Sequence, residues 1–70
     1  MVYVLSFMGR SKVKICLLIP AYNEAENLKL LLPGLKRYNL DMAVVDDGSK
    51  DETSIVSNAA GAVVLRHERN

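Results

Sequence analysis

Cysteine is nearly absent from this chain. Cys16 stands alone among 70 residues, inside an apolar run, so no internal disulfide can form and no Cys/His cluster suggests zinc. A lone cysteine in that setting is read as core. Excess charge of one sign is also missing. Nine Lys and Arg are interspersed with eight Asp and Glu, for a formal charge of +1, which leaves no electrostatic footprint for nucleic acid. No apolar run approaches the roughly 18 residues that cross a bilayer. The apolar start, Met1 to Met8, is followed by its positive charges, Arg10 and Lys12, whereas a secretion signal places them first. Residues 1–12 are therefore read as a ragged extension ahead of one small domain, 13–70. Half the residues are hydrophobic, which excludes disorder.

Two short apolar runs anchor the domain. Lys14 to Ile19 is stopped by Pro20, and Asp41 to Asp46 contains Met-Ala-Val-Val. Both suit strands buried on two faces. Between them, Asn23 and Glu26 have the spacing of a capping box. Leu28, Leu31, Leu32 and Leu35 then put one leucine stripe on a helix. Pro33 cannot donate to the carbonyl of Lys29, so a kink or break is expected near Leu32, with a further turn to about Tyr38. After the Asp47-Gly48 turn, Ser49 and Glu52 form a second capping-box pattern. The helix they open places Ile55, Val56 and Ala59 on one side. Gly61 ends it, and Ala62 to Leu65 makes a third strand. Strand-helix alternation predicts an α/β fold with a three-stranded parallel sheet. Right-handed crossovers put both helices on one face and leave the other bare and apolar.

Ligands of open parallel sheets bind beyond the carboxyl ends of the strands. Two loops leave such ends here, Pro20-Ala21-Tyr22-Asn23-Glu24 and Asp46-Asp47-Gly48-Ser49. Neither has the glycine pattern that brings backbone N–H groups to a pyrophosphate. Both carry carboxylates, which only accept hydrogen bonds when ionised. Their partners on a nucleotide are donors: the ring N–H of uracil or guanine, the guanine amino group and the ribose hydroxyls. Asp47 and Glu24 are the candidates for those bonds, with Tyr22 flanking the base. Asp46 is open between bracing its turn and touching a ligand. Asn23 and Ser49 are read as helix caps, Asp51 and Glu52 as first-turn acids suited to the helix dipole. His67 is expected to be exposed and to have no ligand partners.

Ile-Pro-Ala-Tyr-Asn-Glu-Ala-Glu-Asn-Leu at 19–28, followed by Val-Val-Asp-Asp-Gly-Ser-Lys-Asp-Glu-Thr at 44–53, resembles the opening of family 2 glycosyltransferases. The resemblance covers about residues 13–66 and implies the Rossmann-like βαβαβ half of a GT-A domain. It implies an enzyme whose donor is a nucleotide-diphosphate sugar, UDP- or GDP-linked, and whose acceptor is a polyprenyl phosphate or a glycan. By the same resemblance Pro20, Tyr22, Glu24, Val45 and Asp47 contact the donor's nucleoside. A divalent metal, Mg or Mn, is implied for the complete domain. Its Asp-x-Asp ligands are expected beyond Asn70, so the chain is expected to be a truncated domain, inactive alone and cytoplasmic or at the cytoplasmic face of a membrane. A non-catalytic remnant that binds a nucleotide stays open as the alternative.

Overall fold

A computed structural model describes residues 3–8 and 13–68. Six elements follow in order: β1 (Tyr3–Met8), β2 (Val13–Ala21), α1 (Ala25–Lys36), β3 (Asp41–Asp46), α2 (Thr53–Ala59) and β4 (Val63–Arg66). They build one sheet in the order β1-β2-β3-β4. The β2–β3 and β3–β4 pairs are parallel, with Leu18 opposite Ala43 and Ala43 opposite Val63. This is the α/β alternation that the sequence predicts, with one strand more.

The extra strand corrects the expectation of a ragged extension and of three parallel strands. Residues 3–8 pair antiparallel with β2, from Tyr3 opposite Leu18 to Met8 opposite Val13. The physical reason is the edge that β2 would otherwise expose. Its unpaired N–H and C=O groups template an adjacent apolar segment, and the chain supplies one just upstream. The remaining residues of that extension, 1–2 and 9–12, lie outside the described ones.

Alternation along the parallel strands decides which side is core. Leu17, Ile19 and Ala21 of β2 are buried, as are Met42 and Val44 of β3, and they pack with Leu28 and Leu32 of α1 and with Ala62. The seam that α1 turns inward runs Ala25, Leu28, Leu32 and Leu35, a spacing of three, four and three. Leu31, counted on the stripe from sequence, is instead 40% exposed at its flank. Helix α1 also runs unbroken through Pro33. The buried Leu32 and the packed Leu35, on either side of Pro33, hold that segment helical against the lost backbone bond. The expected extra turn follows, with Tyr38 and Asn39 donating to the carbonyls of Leu35 and Lys36.

In α2 the sequence expectation holds only for Val56, which packs against the core. Ile55 is 68% exposed, while Thr53 and Ser57, four residues apart, are fully buried. These hydroxyls are tolerated inside because each is bonded: the Ser57 Oγ donates to the Thr53 carbonyl at 2.7 Å. The end of α2 is as predicted. Gly61 has φ +90, and the Gly61 and Ala62 amides donate to the carbonyls of Asn58 and Ser57, the paired bonds of a Schellman motif. Among the described residues no helix is long and apolar enough to cross a membrane.

Candidate functional site

Strands β2 and β3 end side by side, with Ala21 opposite Asp46. The chain leaves both ends in tight turns that need left-handed backbone. Asn23 has φ 52 and Gly48 has φ 75, the two residue types that adopt this region most readily. The Asp47 amide donates to the Ala21 carbonyl at 2.9 Å and carries the β2–β3 pairing one step into the loops.

The two loops are then joined by side chains. The Asn23 amide donates to Ser49 Oγ at 2.8 Å, and the Lys50 amide donates to Asn23 Oδ1 at 2.7 Å. The Glu24 amide donates to Thr53 Oγ1 at 3.0 Å, and the Ala25 amide to Asp51 Oδ2 at 3.1 Å. Asp51 also accepts from the Thr53 amide at 2.9 Å through Oδ1 and from the Thr53 hydroxyl. One carboxylate thus caps the first turns of both helices. Neither capping box predicted from sequence forms, because no side chain caps α1 or α2 from its own N-cap residue, Glu24 or Glu52. Asn23 and Ser49 bind the opposite loop instead. Two of the orphan amides at the start of α1, those of Glu24 and Ala25, are satisfied by residues from across the site.

Asp46 is the inner anchor, and the choice left open by the sequence falls to bracing. Its side chain has no exposed surface. It accepts from the Ser49 amide at 2.9 Å, the Ser54 hydroxyl at 2.5 Å and Arg66 Nη1 at 2.8 Å. Arg66 Nη2 donates to the Ser49 carbonyl at 2.8 Å, closing the loop from the β4 side. Burial pushes the Asp46 carboxyl up, but the hydrogen bonds from Ser49 and Ser54 and the Arg66 charge outweigh it and hold it below the ordinary carboxylate range. The Thr53 hydroxyl, with the Ala25 and Thr53 amides, lowers Asp51 in the same sense, against a smaller opposing effect of desolvation.

The residues singled out for the nucleoside lie on the outer side of this lattice. Pro20 and Val45 are register partners. Their neighbours Ile19, Ala21, Val44 and Asp46 are buried toward the helices, so this pair shares the opposite face. Tyr22 is 43% exposed. Glu24 is half-buried and accepts from Asn27 Nδ2 at 2.6 Å. The Asp47 side chain, 44% exposed, holds Oδ1 at 3.1 Å from His67 Nδ1. His67 is exposed as expected, and the ladder delivers its ring to Asp47. A cleft of about 160 Å³ beside the first loop is lined by Ile19, Pro20, Ala21, Glu24, Asn27, Leu28 and Leu31. Ligand pockets run about 300–1,000 Å³, so this cleft would hold only part of a nucleotide.

Arg66, Thr53, Ser54 and the capping role of Asp51 escape the sequence reading. One signal was present: Met42, Val44 and Asp46 alternate, which places Asp46 on the core side and Asp47 off it. Among the described residues no three His, Cys, Asp or Glu side chains gather where a metal ion would sit. The buried Asp46 carboxylate is already engaged by Ser49, Ser54 and Arg66. The described residues do not fit the divalent ion implied by the resemblance.

Known proteins bear on this arrangement. A model of the family described as glycosyl transferase family 2 matches residues 16–70. An uncharacterised protein of Methanocaldococcus jannaschii is 42% identical over 59 residues, covering 76% of this chain and 26% of that protein. A UDP-N-acetylglucosamine–dolichyl-phosphate N-acetylglucosaminyltransferase of Methanococcus voltae is 50% identical over 40 residues, covering 56% of this chain and 16% of that one. Among solved structures, glucosyl-3-phosphoglycerate synthase of M. tuberculosis superposes with a TM-score of 0.63 at 30% identity, over 70% of this chain and 19% of its own. A mycobacterial protein superposes with a TM-score of 0.64 at 28% identity, over 70% of this chain and 18% of its own. The chain spans at most about a quarter of the length of the relatives it matches.

Proposed function

The chain belongs to glycosyl transferase family 2, and from that premise we propose that it binds the nucleoside of a nucleotide-diphosphate sugar, UDP- or GDP-linked, in a glycosyltransferase of the GT-A kind. The observation that carries the reading is the rim formed by the two loops. Four side chain-to-backbone bonds lock them together at the carboxyl ends of adjacent parallel strands, and Tyr22, Glu24 and Asp47 stand on the outer side of the lock. Sites at strand ends of open sheets are where nucleotides bind. Fixed carboxylates suit a base N–H and ribose hydroxyls. Pro20 and Val45, paired on the sheet face away from the helices, offer an apolar floor.

On this reading the nucleoside supplies recognition, and no residue of the chain is assigned to the transfer step. The resemblance to a dolichyl-phosphate transferase supports a polyprenyl phosphate as acceptor and thus a reaction at a membrane surface. A glycan is the other acceptor that the family reading accommodates.

Titration of the chain by NMR with UDP, GDP and inorganic pyrophosphate separates base recognition from phosphate recognition. UDP or GDP should shift the amides of residues 20–24 and 45–48, and pyrophosphate at equal concentration should not displace it. Equal competition by pyrophosphate would overturn the nucleoside reading, because the affinity would then reside in the phosphates.

A further inference from the structure

His67 enters neither the core nor the loop lattice, yet its place is fixed. Its amide donates to the Asp46 carbonyl at 2.8 Å, which extends the β3–β4 ladder one step past the Asp46–Arg66 pair. The preceding side chain, Arg66, is clamped on Asp46 and on the Ser49 carbonyl. Asp47 is fixed from the other side by its own amide bond to Ala21. Two residues whose backbones are both tied to the sheet therefore face each other with only side-chain torsions left to settle. Their contact, Nδ1 to Oδ1 at 3.1 Å, settles them.

Resting on the nucleoside-binding reading of Asp47, we propose that His67 is a positioning residue: its Nδ1–H donates to the Asp47 carboxylate and holds it in the orientation that meets the nucleoside. A carboxylate that is already oriented loses less freedom when its ligand arrives, so the gain appears as affinity. The pairing also has a chemical consequence. Which ring nitrogen of a neutral histidine carries the proton is decided by its hydrogen bonds. In water the neutral ring favours Nε2–H, whereas donation to Asp47 requires Nδ1–H. With 76% of the His67 side chain exposed, its removal takes little packing with it.

Two measurements on the whole chain test this. Nitrogen-15 NMR of the His67 ring at a pH where it is neutral should show Nδ1 protonated, and Asp47→Ala should return the ring to the Nε2–H form. Titration with UDP and GDP should find His67→Ala about three- to tenfold weaker at an unchanged melting temperature. His67→Asn, whose amide nitrogen reaches about the place of Nδ1, should stay within about twofold of the parent. An Nε2–H ring in the parent overturns the proposal whether or not a nucleotide binds. So does His67→Ala binding as tightly as the parent. If the parent shows Nδ1–H but binds neither nucleotide, the brace stands and the nucleoside reading falls alone.

Discussion

Asp46 and Asp47 are consecutive and chemically identical, yet they belong to different regions of the molecule. Asp46 faces inward with Thr53 and Arg66, in a lattice where each carboxylate has several donors. Asp47 faces outward with Tyr22 and Glu24, partly exposed on the rim. The difference follows from strand alternation: Asp46 ends β3 on its core side, and one step further the chain turns Asp47 to the other side. What it teaches is a division of labour, in which the inner residues fix the loops and the outer ones are presented by them. Substitutions on the two sides should therefore fail in different ways.

The largest effect should come from Asp46→Ala. Removing one partner of a buried charge pair typically costs about 3–5 kcal/mol. Arg66 keeps 34% of its side chain exposed, so water recovers part of the loss. About 3 kcal/mol is expected, read from urea denaturation. A loss under about 1 kcal/mol would erase the distinction between the two aspartates.

Thr53→Val should come next. It keeps the shape but leaves the Glu24 amide without its acceptor, a change worth about 1–3 kcal/mol. Hydrogen exchange at Glu24 should quicken, with nucleotide affinity per folded molecule nearly unchanged. Unchanged protection at Glu24 would mean that the loops are not joined there.

Acid should reproduce part of this loss without mutation. Asp46 and Asp51 are both held below the ordinary value of 3.8. A carboxyl lowered by folding contributes stability that is fully present above its unfolded value and is lost as pH falls through the lower folded one. Stability should thus fall steadily as pH drops below about 4, and Asp46→Asn should flatten that dependence. An acid limb of the same slope in that variant would place the titrating groups elsewhere.

Much of the inner region was beyond sequence reasoning for a physical reason. Capping rules are local, whereas Ala25 finds its acceptor on Asp51, 26 residues away. Asn23 and Ser49 have the residue types of caps, but in the fold they bond to the opposite loop. The inward Thr53 and Ser57 are misread because a helix face is judged by its apolar residues, and here Ile55 points outward. Strand β1 escapes the sequence reading although only four residues, beginning with Gly9, separate its apolar run from that of β2, a spacing that suits a hairpin. By contrast, β2, β3, the Gly61 stop and the two acidic loops follow from patterns within a few residues, and all were legible.

The smallest stability effect should belong to Asp47→Asn, under about 0.5 kcal/mol, as for other partly exposed sites. Its effect on binding should be large, and that contrast tests the division most directly. Asparagine keeps the size of the side chain but turns one acceptor into a donor facing the base N–H. Calorimetric titration with UDP and GDP, alongside a thermal melt, should find Asp47→Asn folded as well as the parent and binding about ten- to a hundredfold more weakly. If it bound both nucleotides as tightly as the parent, Asp47 would not be reading the base, and the outer rim would lose its assigned role.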